Sequence, residues 1–257
     1  MRTATLVVAA VALLAPIGSA QDPSFDVATI KPTAPDDRSG RFITMQGAHQ
    51  LVVKGYTLKF MVAAAYNLPP RLIAGGPAWA DSDRYDIVAA TPGDNRPTLD
   101  QQMAMLRTLL ADRFKLAIHR ESRELPLYEL TVAKRGAKLE KSTAGDEQPL
   151  LVNKVFPTHI ELPARNATMA QFASMLQRSV LDRPVVDKTG LADRYDFNLE
   201  WTPDETQFDG RLPASLTTSG EKPDLFAALE AQIGLKLESS RGSVDVIVID
   251  RVDRPNS

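Results

Sequence analysis

The sequence predicts an α+β fold made by internal duplication of a strand-helix-strand-helix-strand-strand unit, with largely antiparallel sheet and helices on one face. The first observation is a repeated stretch, because Asp83-Arg84-Tyr85-Asp86 returns as Asp193-Arg194-Tyr195-Asp196. The second is that apolar positions recur at a constant offset of 119 residues. These matched positions are Leu106 and Leu225, Leu110 and Leu229, Phe114 and Ile233, Leu116 and Leu235, and Ile118 and Leu237. Two copies indicate a pseudo-symmetric pair, since a solenoid needs at least three.

Residues 1–20 have the pattern of a signal peptide. Arg2 gives a positive start, residues 6–17 form an apolar run of twelve, and Gly18-Ser19-Ala20 forms a small-residue cleavage site. We expect cleavage before Gln21, because the apolar run is shorter than the roughly 20 residues that a membrane-spanning helix needs. An uncleaved N-terminal anchor is the alternative. The predicted mature protein is secreted or periplasmic and has no membrane span.

The composition excludes several classes of function. The chain has no cysteine, which excludes disulfides, thiol nucleophiles and cysteine-ligated metal sites. Cleavage would remove one of the 30 Lys and Arg residues and none of the 32 Asp and Glu residues, which leaves a net charge of −3. This near balance predicts no binding to nucleic acid or to an anionic membrane surface.

The order of strand and helix patterns predicts the domain organisation. In chain order we predict a signal peptide at 1–20, an N-terminal strand and loop at 21–45, a first copy at 46–134, a linker at 135–158, a second copy at 159–252 and a tail at 253–257.

The chain before residue 70 alternates strand and helix signals. Residues 24–32 alternate apolar side chains and end at a proline, which is typical of an edge strand. Residues 41–45 and 50–54 are further short strands. The spacing then becomes helical, with Thr57 as the N-cap and Pro69-Pro70 as the terminator. The apolar stripe of this helix is Leu58, Met61, Val62 and Ala65.

The rest of the first copy contains a turn, a strand, a helix and a predicted hairpin. Gly75-Gly76-Pro77 predicts a tight turn, and residues 84–90 predict a strand. Thr98 and Gln101 have the spacing of a capping box and open a helix. Its apolar face is Met103, Leu106, Leu110 and Phe114. Residues 115–121 and 127–133 are predicted to pair as a hairpin, and the alternation in the second of them indicates antiparallel sheet.

The second copy repeats these signals after the polar stretch 135–158, which lacks periodicity. The predicted elements are a strand at 160–162, a helix opened by a capping box at 168–171, a strand at 195–201, a loop at 203–223 and a closing helix from Asp224. A loop of this length is either disordered or functional.

No stretch of the sequence has a recognisable catalytic pattern. The three histidines, His49, His119 and His159, are far apart in sequence and lack metal-binding spacing. There is no Gly-x-Ser-x-Gly elbow, phosphate-binding loop or dinucleotide fingerprint. We therefore predict no catalytic residue, no metal ligand and no cofactor.

The two Asp-Arg-Tyr-Asp stretches allow two interpretations. As a site, the Arg, the Tyr hydroxyl and the carboxylates would recognise a carbohydrate or a peptide. As structure, the first Asp closes a turn, the Tyr packs in the core and the Arg pairs with a neighbouring Asp. Repetition favours the structural interpretation, because folding needs both copies whereas a site needs only one. Whether Arg84 and Arg194 point inward or outward stays open.

Several stretches resemble a family of secreted proteins, rich in paralogues, from soil acidobacteria. They are Phe25-Asp-Val-Ala-Thr-Ile-Lys-Pro32, Gly76-Pro-Ala-Trp-Ala-Asp-Ser-Asp-Arg-Tyr-Asp86, Leu110-Ala-Asp-Arg-Phe-Lys-Leu116, Arg120-Glu-Ser-Arg-Glu-Leu-Pro126, Pro184-Val-Val-Asp-Lys-Thr-Gly-Leu191 and the terminal Val-Ile-Asp-Arg-Val-Asp-Arg-Pro. The resemblance covers nearly the whole mature chain and implies a secreted or periplasmic location. The family's domain has no assigned function, so the resemblance implies no catalytic residues. Some relatives carry this domain fused to a membrane metallopeptidase of the antibiotic-sensor type.

Three functional hypotheses follow. The leading one is a non-enzymatic module of the cell envelope that binds a protein partner or a small extracellular ligand through an exposed sheet edge. The second is a secreted hydrolase with a carboxylate or Arg-Tyr-Asp site. The third is a structural subunit of an envelope assembly.

Overall fold

The computed structural model describes residues 22–210, 212, 216 and 222–255. The predicted signal peptide lies outside the described residues, as does part of the predicted loop 203–223. Helices and strands are mixed along the chain, and most strand pairs are antiparallel. The predicted α+β class is confirmed.

The described residues form thirteen strands and five α-helices. The strands are β1 (Val27–Pro32), β2 (Phe42–Gln46), β3 (Gln50–Thr57), β4 (Ile73–Gly75), β5 (Arg84–Ala90), β6 (Ala117–Val132), β7 (Glu140–Lys141), β8 (Leu150–Leu151), β9 (Lys154–Val155), β10 (Ile160–Ala167), β11 (Val185–Asp187), β12 (Tyr195–Trp201) and β13 (Leu235–Arg251). The helices are α1 (Leu58–Ala65), α2 (Trp79–Ser82), α3 (Leu99–Phe114), α4 (Met169–Ser179) and α5 (Leu225–Ala228). A π-helical turn, Leu229–Ile233, continues α5.

Local signals in the sequence fix the helices. The Thr98 hydroxyl accepts from the Gln101 amide at 3.3 Å, and Gln101 accepts from the Thr98 amide at 2.8 Å, which is the predicted capping box. Thr168 and Gln171 form the second predicted box. At the other end, α3 stops at a left-handed Lys115, and the turn after α5 stops at a left-handed Gly234. No helix among the described residues is long and apolar enough to cross a bilayer.

The strands form three sheets, of which two have the same internal order. The first sheet runs β1-β5-β3-β2, and the second runs β7-β12-β10-β8, with β9 also paired to β10. Strands β7 and β8 of the second sheet fall within residues 135–158, in the positions that β1 and β2 take in the first. The sheets therefore reproduce the duplication, while the residue boundaries of the domain division stay a prediction.

The predicted hairpin of residues 115–121 and 127–133 is wrong. Residues 117–132 form the single strand β6, of 16 residues, which pairs antiparallel with β13, of 17 residues. The middle of β6 is polar and largely exposed, so it reads as a turn when only local periodicity is considered. Pairing with a strand at the far end of the chain leaves no local signal.

Two three-residue strands, which the sequence patterns do not predict, join the copies. Strand β4 of the first copy pairs in parallel with β13, and β11 of the second copy pairs in parallel with β6. Ile73 lies opposite Ile247, and Val185 lies opposite Tyr128. Each copy therefore extends the long strand of the other, which completes the central sheet β11-β6-β13-β4.

Strands β6 and β13 form a long antiparallel pair, which we call the ribbon. Two hydrophobic cores lie at opposite ends of this ribbon. The first core contains Phe114 together with Ile247 and Ile249 from the end of β13. The second contains Trp201 and Phe172, with residues from the end of β6 and the start of β13. Strand β13 therefore contributes to both cores, so the copies share structure and are not joined by a simple linker.

Candidate functional site

The second aspartate of each Asp-Arg-Tyr-Asp stretch stabilises a β-bulge. In the first copy, Asp86 Oδ1 accepts a hydrogen bond of 2.9 Å from the amide of Gly55, where the register between β3 and β5 shifts. In the second copy, Asp196 Oδ1 accepts one of 2.7 Å from the amide of Asn166, where the register between β10 and β12 shifts. Gly55 and Asn166 both have left-handed backbones, with φ of 64° and 51°. We call these places the first and second corners.

The remaining motif residues mostly have structural roles. Tyr85 and Tyr195 are buried, with 4% and 6% of their surface exposed. Tyr85 packs edge-on against Phe114 at 5.3 Å between ring centroids. The first aspartates form ion pairs elsewhere, Asp83 with Arg254 and Asp193 with Lys141. These contacts favour the structural interpretation of the motif over the hydrolase site.

The first corner has an extra set of charges. Lys54 Nζ contacts Asp37 Oδ2 at 2.6 Å and also binds Asp86. Thr33 Oγ1 donates to Asp86 at 2.7 Å. Burial raises the pKa of Asp86, but the hydrogen bonds from Lys54, Thr33 and the Gly55 amide outweigh it, so this pKa is lowered. The hydrogen bond from Lys54, followed by those from Ser39, lowers the pKa of Asp37 well below its usual range.

The two motif arginines differ between the copies. Arg194 Nη1 donates a hydrogen bond of 2.9 Å to the carbonyl of Asn166, so its side chain stabilises the second corner. The Arg84 side chain is exposed and makes no hydrogen bond or ion pair within the part of the chain that the structure describes. It lies opposite Thr57 in the β3–β5 ladder, beside the start of α1. The first copy therefore presents an arginine to solvent where the second copy uses one internally.

Arg84 lines an open cleft of about 490 Å³. The lining residues, which define the cleft from here on, are Gly40, Arg41, Gly55, Thr57, Phe60 and Arg84. The guanidinium carbon of Arg41 lies 3.6 Å from the ring centroid of Phe60 and 5.4 Å from that of Tyr56. Stacking occupies the face of the guanidinium group and holds it in place. The cleft therefore combines two cationic groups with an aromatic wall.

Close backbone approach forms one side of this cleft. A Cβ added at Gly55 would lie 2.9 Å from the carbonyl oxygen of Gly40, so the loop before β2 rests directly on the bulge. In the second copy the same position holds Asn166, which is 2% exposed. Its side chain donates to the carbonyls of Gly145, at 3.1 Å, and Glu147, at 2.5 Å. The Asn166 side chain therefore binds a loop at the second corner, whereas Gly55 has no side chain to do so at the first corner.

A second concavity, of about 280 Å³, lies between the start of β1 and α3. Its charged lining residues are Asp26, Asp112 and Arg113. Charges of both signs partly neutralise one another there, so this concavity has no clear electrostatic preference for a ligand.

The structure does not bring the histidines into a shared site. His119 Nδ1 lies 2.7 Å from Asp250 Oδ1 and its Nε2 lies 3.6 Å from Glu121, on the exposed face of the ribbon. His159 stacks on Phe156 at 4.8 Å. Among the described residues, no group of three or more His, Cys, Asp or Glu side chains is placed to hold a metal ion.

No pattern in the sequence predicts the cleft. The sequence leaves the orientation of Arg84 open, and Arg41 and Phe60 fall only within a predicted strand and a predicted helix. Gly55 and Asn166 each stand two residues before a helix-capping threonine, and both are residue types that tolerate a left-handed backbone. Aligning the copies on those threonines would have located both corners, although not the cleft.

A family model described as a protein of unknown function, DUF3738, matches residues 59–252. The matched range includes both Asp-Arg-Tyr-Asp stretches and, of the cleft, Phe60 and Arg84. No curated protein and no solved structure matches the chain.

Proposed function

We propose that this chain, which belongs to the DUF3738 family of proteins of unknown function, is a non-catalytic binding module that works outside the cytoplasm. The cleft of the first copy would hold an acidic group of the ligand, and the aromatic wall would pack against the part next to it.

The observation that carries this proposal is the difference between Arg84 and Arg194. An internal hydrogen bond occupies Arg194, while Arg84 faces solvent in the cleft beside Arg41. Arg binds carboxylates and phosphates through two parallel hydrogen bonds, which gives both affinity and orientation. The arginine of the second copy is used in an internal hydrogen bond, whereas the equivalent arginine of the first copy is exposed. This difference supports ligand binding in the first copy alone.

The chemistry of the cleft favours binding over turnover. General acid–base catalysis needs a group that exchanges a proton near the working pH. The charged side chains that line the cleft are the two arginines, and a guanidinium group donates hydrogen bonds but accepts none. The Thr57 hydroxyl already accepts from the Phe60 amide as the cap of α1. These groups can hold and orient an anion, but none is suited to act as a base.

A location outside the cytoplasm is supported by the charged, apolar and small-residue pattern of residues 1–20. The absence of cysteine fits an oxidising compartment, because no thiol is at risk of mispairing. The ligand would then be an envelope protein or a small extracellular molecule.

Binding can be tested with two aromatic anions, benzoate and phenyl phosphate, followed through the backbone amide signals of the labelled mature protein by NMR. We expect shifts that concentrate at Gly40, Gly55 and Phe60. The substitution Arg84→Ala should weaken binding by about tenfold or more, since a charge-assisted pair is lost. Arg194→Ala is the matched control and should leave the affinity unchanged.

Shifts scattered over the surface, or equal affinity in the Arg84→Ala and wild-type proteins, would contradict the proposal. Turnover of glycoside, ester or peptide substrates that is lost in an Asp86→Asn variant would favour the hydrolase hypothesis instead. A stable oligomer by light scattering, without ligand binding, would favour a structural subunit.

A further inference from the structure

We infer that the cleft and the outer edge of β2 together bind an extended peptide, whose C-terminal carboxylate enters the cleft. This inference rests on the proposed function, because it assigns a ligand class to the same site.

Strand β2 is an edge that remains available for pairing. It ends the order β1-β5-β3-β2, and no strand among the described residues pairs with its outer side. Natural edges are commonly blocked by lysine, proline or a bulge. The sequence of β2, Phe-Ile-Thr-Met-Gln, has none of these features. Strand β1, at the opposite edge, ends with Lys31 and Pro32.

The direction of β2 sets the polarity of an added strand. Gly40 and Arg41 line the cleft immediately before Phe42, so β2 begins at the cleft and runs away from it. The sheet is antiparallel throughout, and a peptide that continues this pattern would run opposite to β2. Its last residue would therefore lie beside Phe42, and its terminal carboxylate would turn across the start of β2 into the cleft, toward Arg84 on β5.

Charge complementarity selects a free C-terminus for this place. The cleft is lined by two guanidinium groups, of which that of Arg84 makes no hydrogen bond or ion pair among the described residues, and a terminal carboxylate is the one anionic group that every such peptide carries. Main-chain hydrogen bonds to β2 would supply affinity that depends little on sequence, as in other strand-addition complexes. Phe42, which is 38% exposed, offers an apolar contact for a peptide side chain.

The second copy provides an internal contrast. Its strand in the equivalent position, β8, has two residues, Leu150–Leu151. Strand β9 pairs with β10 beside it, and Arg194 is bound to Asn166. The second corner therefore lacks both a long free edge and a solvent-facing arginine, so one peptide site per chain is expected.

The test uses two libraries of random octapeptides and the mature protein. One library leaves the C-terminus free, and the other fuses it to the carrier. We expect enrichment from the free library alone. An enriched sequence is then synthesised as the acid and as the C-terminal amide, and binding is measured by fluorescence anisotropy. The acid should bind about tenfold or more tightly than the amide.

Three further measurements decide the mode of binding. Arg84→Ala should remove the difference between acid and amide, and Arg194→Ala should preserve it. N-methylation at every second peptide residue should abolish binding for one set of alternate residues and spare the other, because alternate amides of an added edge strand face β2. Every peptide that binds should do so with one-to-one stoichiometry.

Enrichment from neither library, equal binding of acid and amide, or indifference to the N-methylation pattern would overturn the inference. The proposed function fails separately, through the benzoate and phenyl phosphate titrations. Anion binding that depends on Arg84, without peptide binding, would retain the binding module and reject its peptide ligand.

Discussion

Asn166 donates its backbone N–H to Asp196 at 2.7 Å, and its left-handed backbone is what aims that N–H at the carboxylate. Gly55 and Asp86 make the same contact in the first copy at 2.9 Å. The conserved part of the duplicated motif is therefore an aspartate that stabilises a bulge. What differs is the residue on the bulge, and that difference leaves a cleft at the first corner.

Glycine at position 55 is expected to be required. Gly55→Ala would place a side chain in the left-handed region, which costs about 1–2 kcal/mol, and would also bring its Cβ to 2.9 Å from the Gly40 carbonyl oxygen. We expect a total destabilisation of about 3 kcal/mol in urea unfolding. Gly93→Ala is the matched control, because Gly93 has φ of 76° and nothing lies within 4 Å of its added Cβ.

Gly93→Ala should lower the free energy of unfolding only by the cost of an alanine in the left-handed region, about 1 kcal/mol. Equal costs for the two alanine variants would mean that the loop before β2 moves away freely. The close approach of Gly40 would then not form a fixed wall of the cleft.

The aspartates of the first corner should make stability depend on acid pH. The pKa values of Asp37 and Asp86 are lowered in the folded protein, while an unfolded aspartate titrates at about 3.9. Their contribution is therefore present above about pH 4 and is lost as the pH falls through the lower folded values. Asp86→Asn should reduce the free energy of unfolding at neutral pH by about 2 kcal/mol.

Urea unfolding from about pH 6 to about pH 2 measures this effect. The gap between wild type and Asp86→Asn should narrow as the pH falls. Asp94 is an exposed loop residue whose carboxylate has no hydrogen bond among the described residues. The free energy of unfolding of Asp94→Asn should therefore change with pH in parallel with that of wild type. A gap that stays constant with pH would show that Asp86 acts through shape and not through charge.

The two motif arginines should differ in their effect on stability. The Arg84 side chain makes no hydrogen bond among the described residues, so Arg84→Ala should change the free energy of unfolding by less than about 0.5 kcal/mol. Arg194→Ala removes a bond to the Asn166 carbonyl and should cost about 1 kcal/mol. Urea unfolding of both variants checks the difference. A large loss for Arg84→Ala would mean that this arginine supports the fold, which would weaken its assignment as a ligand-binding group.

The sequence predicts those parts of the fold that depend on neighbouring residues. Thr98 and Thr168 identify helix starts because a capping box is complete within four residues, and Tyr195 to Trp201 alternates because one sheet face is buried. The ribbon of β6 and β13 is a long-range pairing, so its polar middle resembles a turn. The cleft also depends on long-range strand pairing, because the sheet order brings together Arg41 and Arg84. No local sequence pattern relates these two residues.

The N-terminus of the exported protein is a further prediction. If residues 1–20 form a signal peptide, the protein expressed with its full sequence in a bacterial host should appear in the periplasm or medium with Gln21 first. Intact-mass measurement checks this. Ala20→Glu should block cleavage, because the processing site requires small residues. An exported chain that retains residues 1–20 would favour the uncleaved anchor.

The two cores should unfold in a single cooperative transition, because β13 contributes side chains to both. The two tryptophans allow each copy to be followed separately, since Trp201 is buried in the second core and Trp79 packs against the first. In a Trp201→Phe background, Phe172→Ala removes a ring from the second core and should cost about 3–5 kcal/mol. We expect the Trp79 fluorescence midpoint in urea to fall by the same amount as the far-ultraviolet circular dichroism midpoint. The reciprocal control, Phe114→Ala in a Trp79→Phe background, should shift the Trp201 signal likewise. A Trp79 fluorescence midpoint that does not change in Phe172→Ala would show that the copies unfold independently despite the shared ribbon.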